Sequence, residues 1–559
     1  MNANTHFIKQ HLRIRKINMK IVKMCEDYLK SNLSKFILFL GLSFGLNIIN
    51  LISPYIAGNF IDGLVANTTI HFVYRFCLIM VGITFANMML GFCINIVYVK
   101  ISTKMSYHFN RDVLARFQNL PLSYLINKDI VAVNQIINGD TNELISFCID
   151  IFNNLILKTI ILIALVVICC NLNLEITLIL MSFCMLYVLA YILLKKVVHR
   201  NNYLLKNEQS IFFSKLYEQL QNLYFIKANG IQKKYLNKLD SAFGKLYKIS
   251  ISNQKVNYIF NGLDGFISMG AQIVLYILGA LQIMKNEFTI GQFTIYIAYF
   301  NSIYSTIKYY FNFAQTYQAV LVSYKRIEKF LQEPVEATGE IILTQVDVIE
   351  IRNMSFKFND SNRYLYQNIS IRFLKNKIYG IVGRNGVGKT TFINIIIGLY
   401  NNLLQDNVVL FNDIDIKNLN VETLRRCCIG ISLQQPFLVN DTVKANISLL
   451  TNENELDTYS YNTLVEDFEL SKVLEYEYDD RNEQSNNYLS GGEKQKIEIA
   501  RCLLKTASVF ILDEPTASLD SHSTTMVFEY LDRIKTDKIV FVITHDEKVV
   551  ARCDEIVNL

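Results

Sequence analysis

The sequence predicts a multi-domain fold in which a domain of six transmembrane α-helices precedes a soluble α/β domain. With 559 residues, the chain is too long for one ordinary hydrophobic core. Its long apolar runs lie between residues 36 and about 320, whereas the part from 346 onward alternates short apolar stretches with glycine-rich turns. We therefore expect four segments: a basic cytoplasmic segment 1–35, a six-span membrane domain 36–328, a linker 329–345 and a soluble domain 346–559.

Six segments are long and apolar enough to cross a bilayer, which takes about 20 mostly apolar residues. Runs such as TIILIALVVICC, residues 159–170, have no polar face, which argues against long helices of a soluble helical domain. The predicted spans are 36–60, 73–98, 142–168, 174–194, 257–284 and 289–313.

Basic residues predict the orientation of these spans, because Lys and Arg near span ends stay on the cytoplasmic side. The short connections after spans one, three and five, LVANTTIHF, CCNLNL and MKNEF, together contain one Lys. The long connections 99–141 and 195–256 have polar helical periodicity, so we expect the helices to continue into the cytoplasm there. The N-terminus is expected on the same side, in a multi-pass plasma membrane protein. The basic residues before the first span are Lys9, Arg13, Arg15, Lys16, Lys20, Lys23, Lys30 and Lys35.

Four polar residues inside the spans, Asp150, Asp264, Gln272 and Lys308, each require a polar environment. One interpretation is that they line a translocation pathway. The other is that Asp150, Asp264 and Lys308, which lie near the cytoplasmic ends, pair with each other or reach water. Their position favours pairing.

Residues 378–400, IYGIVGRNGVGKTTFINIIIGLY, have the pattern of a strand, a glycine loop and a helix. The loop fits G-x-x-x-x-G-K-T, in which glycines let backbone N–H groups surround phosphates. Lys389 can reach the β and γ oxygens, and Thr390 can bind Mg²⁺. The residues predicted to contact nucleotide here are Gly383, Arg384, Asn385, Gly386, Val387, Gly388, Lys389, Thr390 and Thr391.

A second acidic motif fits the same site. Residues 507–520, ASVFILDEPTASLD, contain a buried strand that ends at Asp513, which can hold Mg²⁺ through its water shell. Glu514 is then placed to orient and polarise the attacking water. We interpret Asp513 as a metal residue and Glu514 as a catalytic residue.

Two further strand ends are expected at the same edge of a parallel sheet, where ligands bind. KIVFVITHD, residues 538–546, places His545 where it can meet the γ-phosphate, so we interpret His545 and Lys389 as catalytic. IGISLQQPFL, residues 429–438, places Gln434 where it could touch the metal or the water, or be only a loop amide.

In LSGGEKQ, residues 489–495, Ser490 and Glu493 form a capping box, which by itself carries no function. Taken in order, however, the phosphate loop, Gln434, LSGGEKQ, LDE, ASLD and His545 resemble the nucleotide-binding domain of ATP-binding cassette (ABC) transporters. Together with the six preceding spans, the chain resembles an exporter-type half-transporter over nearly its whole length. One departure is DDRNEQSNNY, residues 479–488, which lacks the glycines common before the signature; Glu483 is the expected substitute there.

This resemblance implies further roles for individual residues. Phe358 would stack on adenine in place of the family's usual tyrosine, since any aromatic face can stack. Gln434 would couple the nucleotide state to the membrane helices, and Asp520 would contact the other subunit. The turns near 125–135 and 208–221 resemble the two coupling helices.

The resemblance also implies a ligand for the LSGGEKQ segment. In a head-to-tail dimer, the Ser490 hydroxyl and the Gly491 and Gly492 amides would meet the γ-phosphate held by Lys389 of the other subunit. Glycine would allow that approach because it has no Cβ.

The implied function is ATP-driven export by alternating access, with ATP and Mg²⁺ as cofactors and membrane lipids and the substrate as partners. A homodimer is favoured, and a heterodimer is possible. The substrate could be a bacteriocin-like peptide, a lipid or a hydrophobic drug, and Asp150 and Asp264 lean toward cationic cargo. The alternative is a nucleotide-gated channel or sensor, against which the intact Glu514 argues. Six spans exclude a soluble DNA-repair ATPase, so no nucleic-acid partner is expected.

Overall fold

The computed structural model describes residues 23–559 except 67–68, 127–132, 359–360, 362, 385, 452–456 and 477–488. The chain divides into two compact units. The first comprises Met1–Ala115 and Ile130–Gln332, and the second comprises Arg116–Asp129 and Glu333–Leu559. The domain boundaries expected at 328/329 and 345/346 stay predictions.

The first unit is helical, with short connections where the sequence predicts them. Asn173 begins the helix after the third span and accepts a hydrogen bond from the Ile176 N–H at 3.0 Å. The helices are Leu33–Val65, Ile70–Gln118, Thr141–Asp150, Leu157–Leu172, Leu174–Gln221, Leu223–Ala228, Gln232–Met284 and Ile290–Gln332, with π-helical turns at Gln135–Asp140 and Ile151–Ile156.

Five stretches of the described helices are long and apolar enough to cross a membrane. They are Leu33–Val65, Ile70–Gln118, Gln135–Leu172, Leu174–Leu194 and Gln232–Met284. The sixth predicted span lies in Ile290–Gln332, which is less apolar because tyrosine, asparagine, serine and threonine interrupt it. The buried face of that helix carries Tyr296, Tyr299 and Phe300, which pack in one apolar cluster with the third, fourth and fifth spans.

The turn predicted near 208–221 is placed differently in the structure. These residues form the last part of the 48-residue helix Leu174–Gln221. The helix ends at Asn222, whose side-chain amide donates to the Glu218 carbonyl at 2.8 Å, and the chain turns there and again at 229–231. The continuous helix agrees with the polar periodicity of this connection, whereas the turn that the family resemblance implied at 208–221 is not present there.

The second unit contains two sheets. The strands are β1 Val348–Phe356, β2 Tyr366–Leu374, β3 Lys377–Val382, β4 Val409–Phe411, β5 Ile414–Asp415, β6 Ile429–Ser432, β7 Val509–Asp513, β8 Ile539–Ile543 and β9 Glu555–Asn558. An antiparallel sheet has the order β2-β1-β4-β5, and a parallel sheet has the order β6-β7-β8-β3-β9.

Helices complete this unit and enclose two apolar cores. One core lies between the two sheets, and the other lies between the parallel sheet and the helices that pack on it. The helices are Lys389–Ile396, Val421–Thr423, Val443–Ser448, Thr458–Asp467, Gly491–Leu504, Ser521–Ile534 and Glu547–Val550, with short 3₁₀ turns at Asn401–Leu403 and Ile416–Asn418 and a π-helical turn at Leu424–Cys428.

The second unit also includes a four-residue helix from earlier in the chain, Leu122–Leu125. Leu122 packs against the core between the sheets, and the Ser123 hydroxyl accepts a hydrogen bond from the Asn402 amide at 3.0 Å. The coupling turn predicted near 125–135 overlaps this helix only at its end, and residues 127–132 lie outside the described part of the chain.

Candidate functional site

The parallel sheet brings the predicted motif residues to one edge. Strands β3, β6, β7 and β8 run in the same direction, and Asp513 is level with Ile543 on the neighbouring strand. Since the carboxyl ends of parallel strands form a ligand crevice, the residues that follow these four strands lie around one site.

The phosphate loop between β3 and helix Lys389–Ile396 has a backbone that requires glycine. Gly386 and Gly388 have φ angles of 82° and 106°, in the left-handed region that favours glycine. A Cβ on Gly388 would lie 2.5 Å from the Tyr366 hydroxyl oxygen. That hydroxyl donates to the Gly388 carbonyl at 2.5 Å, so Tyr366 supports the loop from behind. A side chain at residue 388 would therefore collide with Tyr366 behind the loop, so this loop conformation requires glycine there.

Lys389 is held at the end of this loop. The residue is only 8% exposed, and its ammonium donates to the Gly383 carbonyl at 2.9 Å. The ammonium also lies 2.7 Å from Nε2 of His545, which can accept a hydrogen bond from it. The predicted catalytic residues Lys389 and His545 are thus in direct contact.

Thr390 and Asp513 approach each other as a pair of oxygen ligands. The Thr390 hydroxyl donates to Asp513 Oδ2 at 3.3 Å. Burial raises the pKa of Asp513 above its ordinary value, and the Thr390 hydroxyl opposes that shift. A hydroxyl and a carboxylate are the ligand types that Mg²⁺ prefers, so the residues present fit this ion.

Glu514 occupies a strained position beside this pair. Its φ of 48° is uncommon for a residue with a side chain, and its N–H donates to the Ile543 carbonyl at 2.9 Å. Such strain persists only where surrounding structure enforces it and is typical of functional sites. Glu514 Oε2 accepts from the Gln434 amide at 2.8 Å, and Oε1 lies 3.3 Å from Nε2 of His545. Gln434 therefore contacts the proposed catalytic carboxylate directly.

The signature motif starts helix Gly491–Leu504. Ser490 accepts from the Glu493 N–H at 3.2 Å, and Glu493 accepts from the Ser490 N–H at 2.7 Å, which completes the capping box. Among the described residues, the nearest atoms to a Cβ on Gly491 would be those of Ser518 at 3.9 Å, whereas a Cβ on Gly492 would lie 3.1 Å from the Ser518 carbonyl oxygen. Packing among these residues thus explains the glycine at 492 but not the glycine at 491.

Asp520 begins the next helix, Ser521–Ile534. Its carboxylate accepts from the Ser523 N–H at 2.7 Å, and this hydrogen bond lowers the pKa of Asp520. The carboxylate is therefore oriented by its own helix, and its predicted contact with another subunit stays a prediction.

The remaining predicted nucleotide residues flank the loop. Phe358 is half-buried, and its ring meets those of Phe356 and Tyr400 edge-on, at 5.1 and 5.7 Å between centroids. Arg384 is exposed, Val387 and Thr391 are half-buried, and Asn385 and Glu483 lie outside the described residues.

Sequence reasoning missed a buried polar network that joins the Gln434 loop to the signature helix. Glu498 and Arg501 are 3% and 4% exposed and form an ion pair at 3.0 Å. Arg501 also donates to the carbonyls of Phe437 at 2.6 Å and Asn446 at 2.7 Å. Burial raises the pKa of Glu498 and lowers that of Arg501. The only sequence signal was two charged residues on the apolar face of a helix.

Comparison with known proteins agrees with this geometry. Residues 36–307 match the ABC transporter transmembrane region, and residues 366–517 match the ABC transporter family. A putative ABC transporter ATP-binding protein of Streptococcus pneumoniae is 24% identical over 545 residues, covering 94% of this chain and 90% of that protein.

Two further similarities cover different shares of the chain. An ATP-dependent lipid A-core flippase of Syntrophus aciditrophicus is 31% identical over 324 residues, which covers 56% of this chain and only 52% of the flippase. The structure of a bacterial Atm1-family ABC exporter with ATP bound matches with a TM-score of 0.81 and 18% identity, over 95% of this chain and 94% of that one. At that identity the structural match supports the fold alone. The chain belongs to the ABC transporter family, as an ATP-hydrolysing transporter of exporter architecture with its membrane and nucleotide-binding domains in one polypeptide.

Proposed function

We propose that this chain exports an amphipathic substrate across the plasma membrane, using ATP hydrolysis between two copies of its nucleotide-binding domain to drive alternating access. The observation that carries this proposal is the continuous set of contacts from Lys389 through His545 and Glu514 to Gln434. These four side chains lie at the edge of the parallel sheet where the phosphate loop ends.

Each residue of this set has a distinct part in hydrolysis. The Lys389 ammonium neutralises negative charge on the β- and γ-phosphates, which favours the charge distribution of the transition state. Glu514 orients the attacking water and polarises it as a general base. His545 Nε2 can accept from Lys389 or donate to Glu514, but not both at once, so it can change partner as the γ-phosphate arrives.

Thr390 and Asp513 would hold Mg²⁺. The ion would supply electrostatic stabilisation of the phosphate oxygens. Within this chain, the Thr390 hydroxyl lies 3.3 Å from Asp513 Oδ2, so the two oxygen ligands are close together.

A second copy is proposed because the signature helix needs a ligand. Helix N-termini attract anions through their N–H groups and dipole, and Gly491 leaves this N-terminus unobstructed. A γ-phosphate held by Lys389 of a second copy fits that position. Since Lys389, Asp513, Glu514 and His545 are all present in one chain, a homodimer would have two complete sites. One half of a heterodimer is the second possibility.

The proposed orientation in the membrane follows from the distribution of basic residues. The basic segment before the first span and the long polar connections are proposed to lie in the cytoplasm with the nucleotide-binding domain. For the substrate, the flippase named above supports a lipid-like molecule over the peptide that the sequence suggested, and a hydrophobic drug is a further candidate.

The proposal is tested by ATP hydrolysis of the purified protein in lipid nanodiscs. Glu514→Gln should abolish turnover and retain ATP binding, while Glu529→Gln, an exposed glutamate in helix Ser521–Ile534, should leave turnover unchanged. Failure of the wild-type protein to hydrolyse ATP, or undiminished turnover in Glu514→Gln, would refute the mechanism. ATP-dependent ion conductance without turnover would support a gated channel instead.

A further inference from the structure

The Gln434 loop, residues 433–438, follows β6 and has little apolar packing beside its functional residue. Its backbone is irregular. Leu433 and Phe437 are 51% and 60% exposed, whereas Leu438 is buried. Because the stabilisation from apolar burial is roughly proportional to the area removed from water, it does little to fix the backbone on either side of Gln434. The position of Gln434 therefore depends on polar contacts.

Those polar contacts come from two buried charged residues of the signature helix. The Arg501 guanidinium donates to the Phe437 carbonyl at 2.6 Å and to the Glu498 carboxylate at 3.0 Å. Glu498 Oε1 in turn accepts a long hydrogen bond from the Leu433 N–H, with 3.5 Å between nitrogen and oxygen. Since Leu433 and Phe437 lie on the two sides of Gln434, the ion pair fixes the loop backbone both before and after that residue.

The planar fork of Arg501 extends these contacts to the next helix, Val443–Ser448. Its Nε donates to the Asn446 backbone carbonyl at 2.7 Å, and a terminal nitrogen donates to the Asn446 side-chain oxygen at 3.1 Å. Asn446 is fully buried and exchanges hydrogen bonds with the Val439 backbone at 2.8 and 2.9 Å. All three guanidinium nitrogens are thus in use, in directions that the single ammonium of a lysine could not reproduce.

The Gln434 loop in turn meets the proposed catalytic carboxylate. The Gln434 amide donates to Glu514 Oε2 at 2.8 Å, while Oε1 lies 3.3 Å from Nε2 of His545. These two contacts set the direction in which the carboxylate faces. A misplacement of about 1 Å can cost roughly 100-fold in rate, so a loop that is free to move would impair hydrolysis without any change at the phosphate loop.

Stability alone does not explain the ion pair. Glu498 and Arg501 are 3% and 4% exposed, and buried ion pairs are often no more stabilising than apolar residues of similar volume. We propose that Arg501 and Glu498 are positioning residues for hydrolysis, which keep Gln434 in hydrogen bond with Glu514 and thereby direct the carboxylate at the attacking water. They act through Gln434 and not on the nucleotide. This inference rests on the proposed function, in which Glu514 is the general base.

The test measures kcat and the KM for ATP of the purified full-length protein in lipid nanodiscs. Arg501→Lys keeps a positive charge beside Glu498 but loses the fork, and with it the contact to Phe437. Its kcat should fall about tenfold, which corresponds to one lost hydrogen bond from a charged group, and its KM for ATP should not change. Arg533→Lys is the matched control, because Arg533 forms an exposed ion pair with Asp467 in the same domain, and it should keep the wild-type kcat.

A double-mutant cycle with Gln434→Ala separates positioning from a merely structural role. Each change alone should lower kcat, but Arg501→Lys should lower it no further when Gln434 is already alanine, because the residue through which Arg501 acts is gone. Hydrogen–deuterium exchange adds a readout that needs no turnover. The peptide that covers residues 433–438 should exchange faster in Arg501→Lys than in wild type, and at the wild-type rate in Arg533→Lys.

A second variant carries the test if Arg501→Lys does not fold. Glu498→Gln combined with Arg501→Met removes both charges and leaves neither unpaired, and it should show the same loss of kcat and the same dependence on Gln434. Wild-type kcat in either folded variant, losses that multiply in the cycle, or a loss confined to the KM for ATP would overturn the proposal and leave the export mechanism intact. Undiminished turnover in Glu514→Gln would refute the hydrolysis mechanism, and this inference with it.

Discussion

The bare backbone at Gly491 provides a direct test of whether the signature helix meets a phosphate. A methyl group added there by Gly491→Ala would find its nearest atoms, Ser518 Cβ and Oγ, at 3.9 Å, which is ordinary van der Waals contact. The residue is not in the left-handed region, and alanine is preferred over glycine in helices by up to about 1 kcal/mol. Gly491→Ala should therefore keep or slightly raise the melting temperature.

Hydrolysis should respond in the opposite direction. If the Gly491 amide approaches a γ-phosphate, the new methyl group displaces it, and a shift of about 1 Å at a transition state costs roughly 100-fold in kcat. The assay is ATPase activity and thermal unfolding of the same nanodisc preparation, with ATP binding measured separately. Gly244→Ala, on an open surface of helix Gln232–Met284, is the control and should retain full turnover.

Gly492→Ala completes the comparison. Its methyl group would lie 3.1 Å from the Ser518 carbonyl, so it should lower the melting temperature through overpacking of about 1–3 kcal/mol. The reasoning is refuted if Gly491→Ala is stable and hydrolyses ATP at the wild-type rate, because the glycine would then have no phosphate to accommodate.

Three further predictions concern the same domain. Tyr366→Phe removes the hydroxyl that donates to Gly388, so it should raise the KM for ATP about fivefold, equivalent to about 1 kcal/mol, with little change in kcat. Glu498→Ala leaves the Arg501 guanidinium buried without its carboxylate and should destabilise the domain by about 3–5 kcal/mol, seen as a lower melting temperature, while Glu498→Gln should cost less because it retains an acceptor. Because burial raises the pKa of Asp513, this carboxylate protonates at a higher pH than an ordinary aspartate, so the KM for Mg²⁺ should rise as pH falls, and excess Mg²⁺ should restore turnover; a KM for Mg²⁺ independent of pH would contradict this role.

The grouping of the motif side chains could be predicted from the sequence because each motif follows a local pattern of strand and turn. A strand, a turn and a polar residue occur together at β3, β7 and β8, so parallel pairing alone brings Lys389, Asp513 and His545 to one edge. Tyr366 and the Glu498–Arg501 pair could not be predicted in the same way. Their partners are 22 and up to 65 residues away and are set by packing, which no local pattern encodes.

In the membrane unit, too, local features could be predicted from the sequence, whereas contacts set by packing could not. Apolar length identifies five of the predicted spans among the described helices, and the helix of the sixth is less apolar because tyrosine, asparagine, serine and threonine interrupt it. The pairing of Asp264 with Lys308 matches the interpretation favoured from their positions. Lys158, which lies inside the predicted third span beside the Tyr309 ring, was not singled out from the sequence. The turn that the family resemblance implied at 208–221 lies beyond 221, because helix Leu174–Gln221 continues to Asn222 before the chain turns.

The central claim, that each ATP site combines the phosphate loop of one copy with the signature motif of the other, is tested most directly by mixed dimers. Lys389→Ala and Ser490→Arg are each expected to be inactive alone, the second with ATP binding retained. Co-expressed with different tags and purified through both tags, they form dimers in which one site has an unaltered Lys389 facing an unaltered Ser490. Such dimers should hydrolyse ATP at a rate well above either parent, up to about half that of wild type. If mixed dimers that bind ATP hydrolyse it no faster than the two parents, the shared site is contradicted.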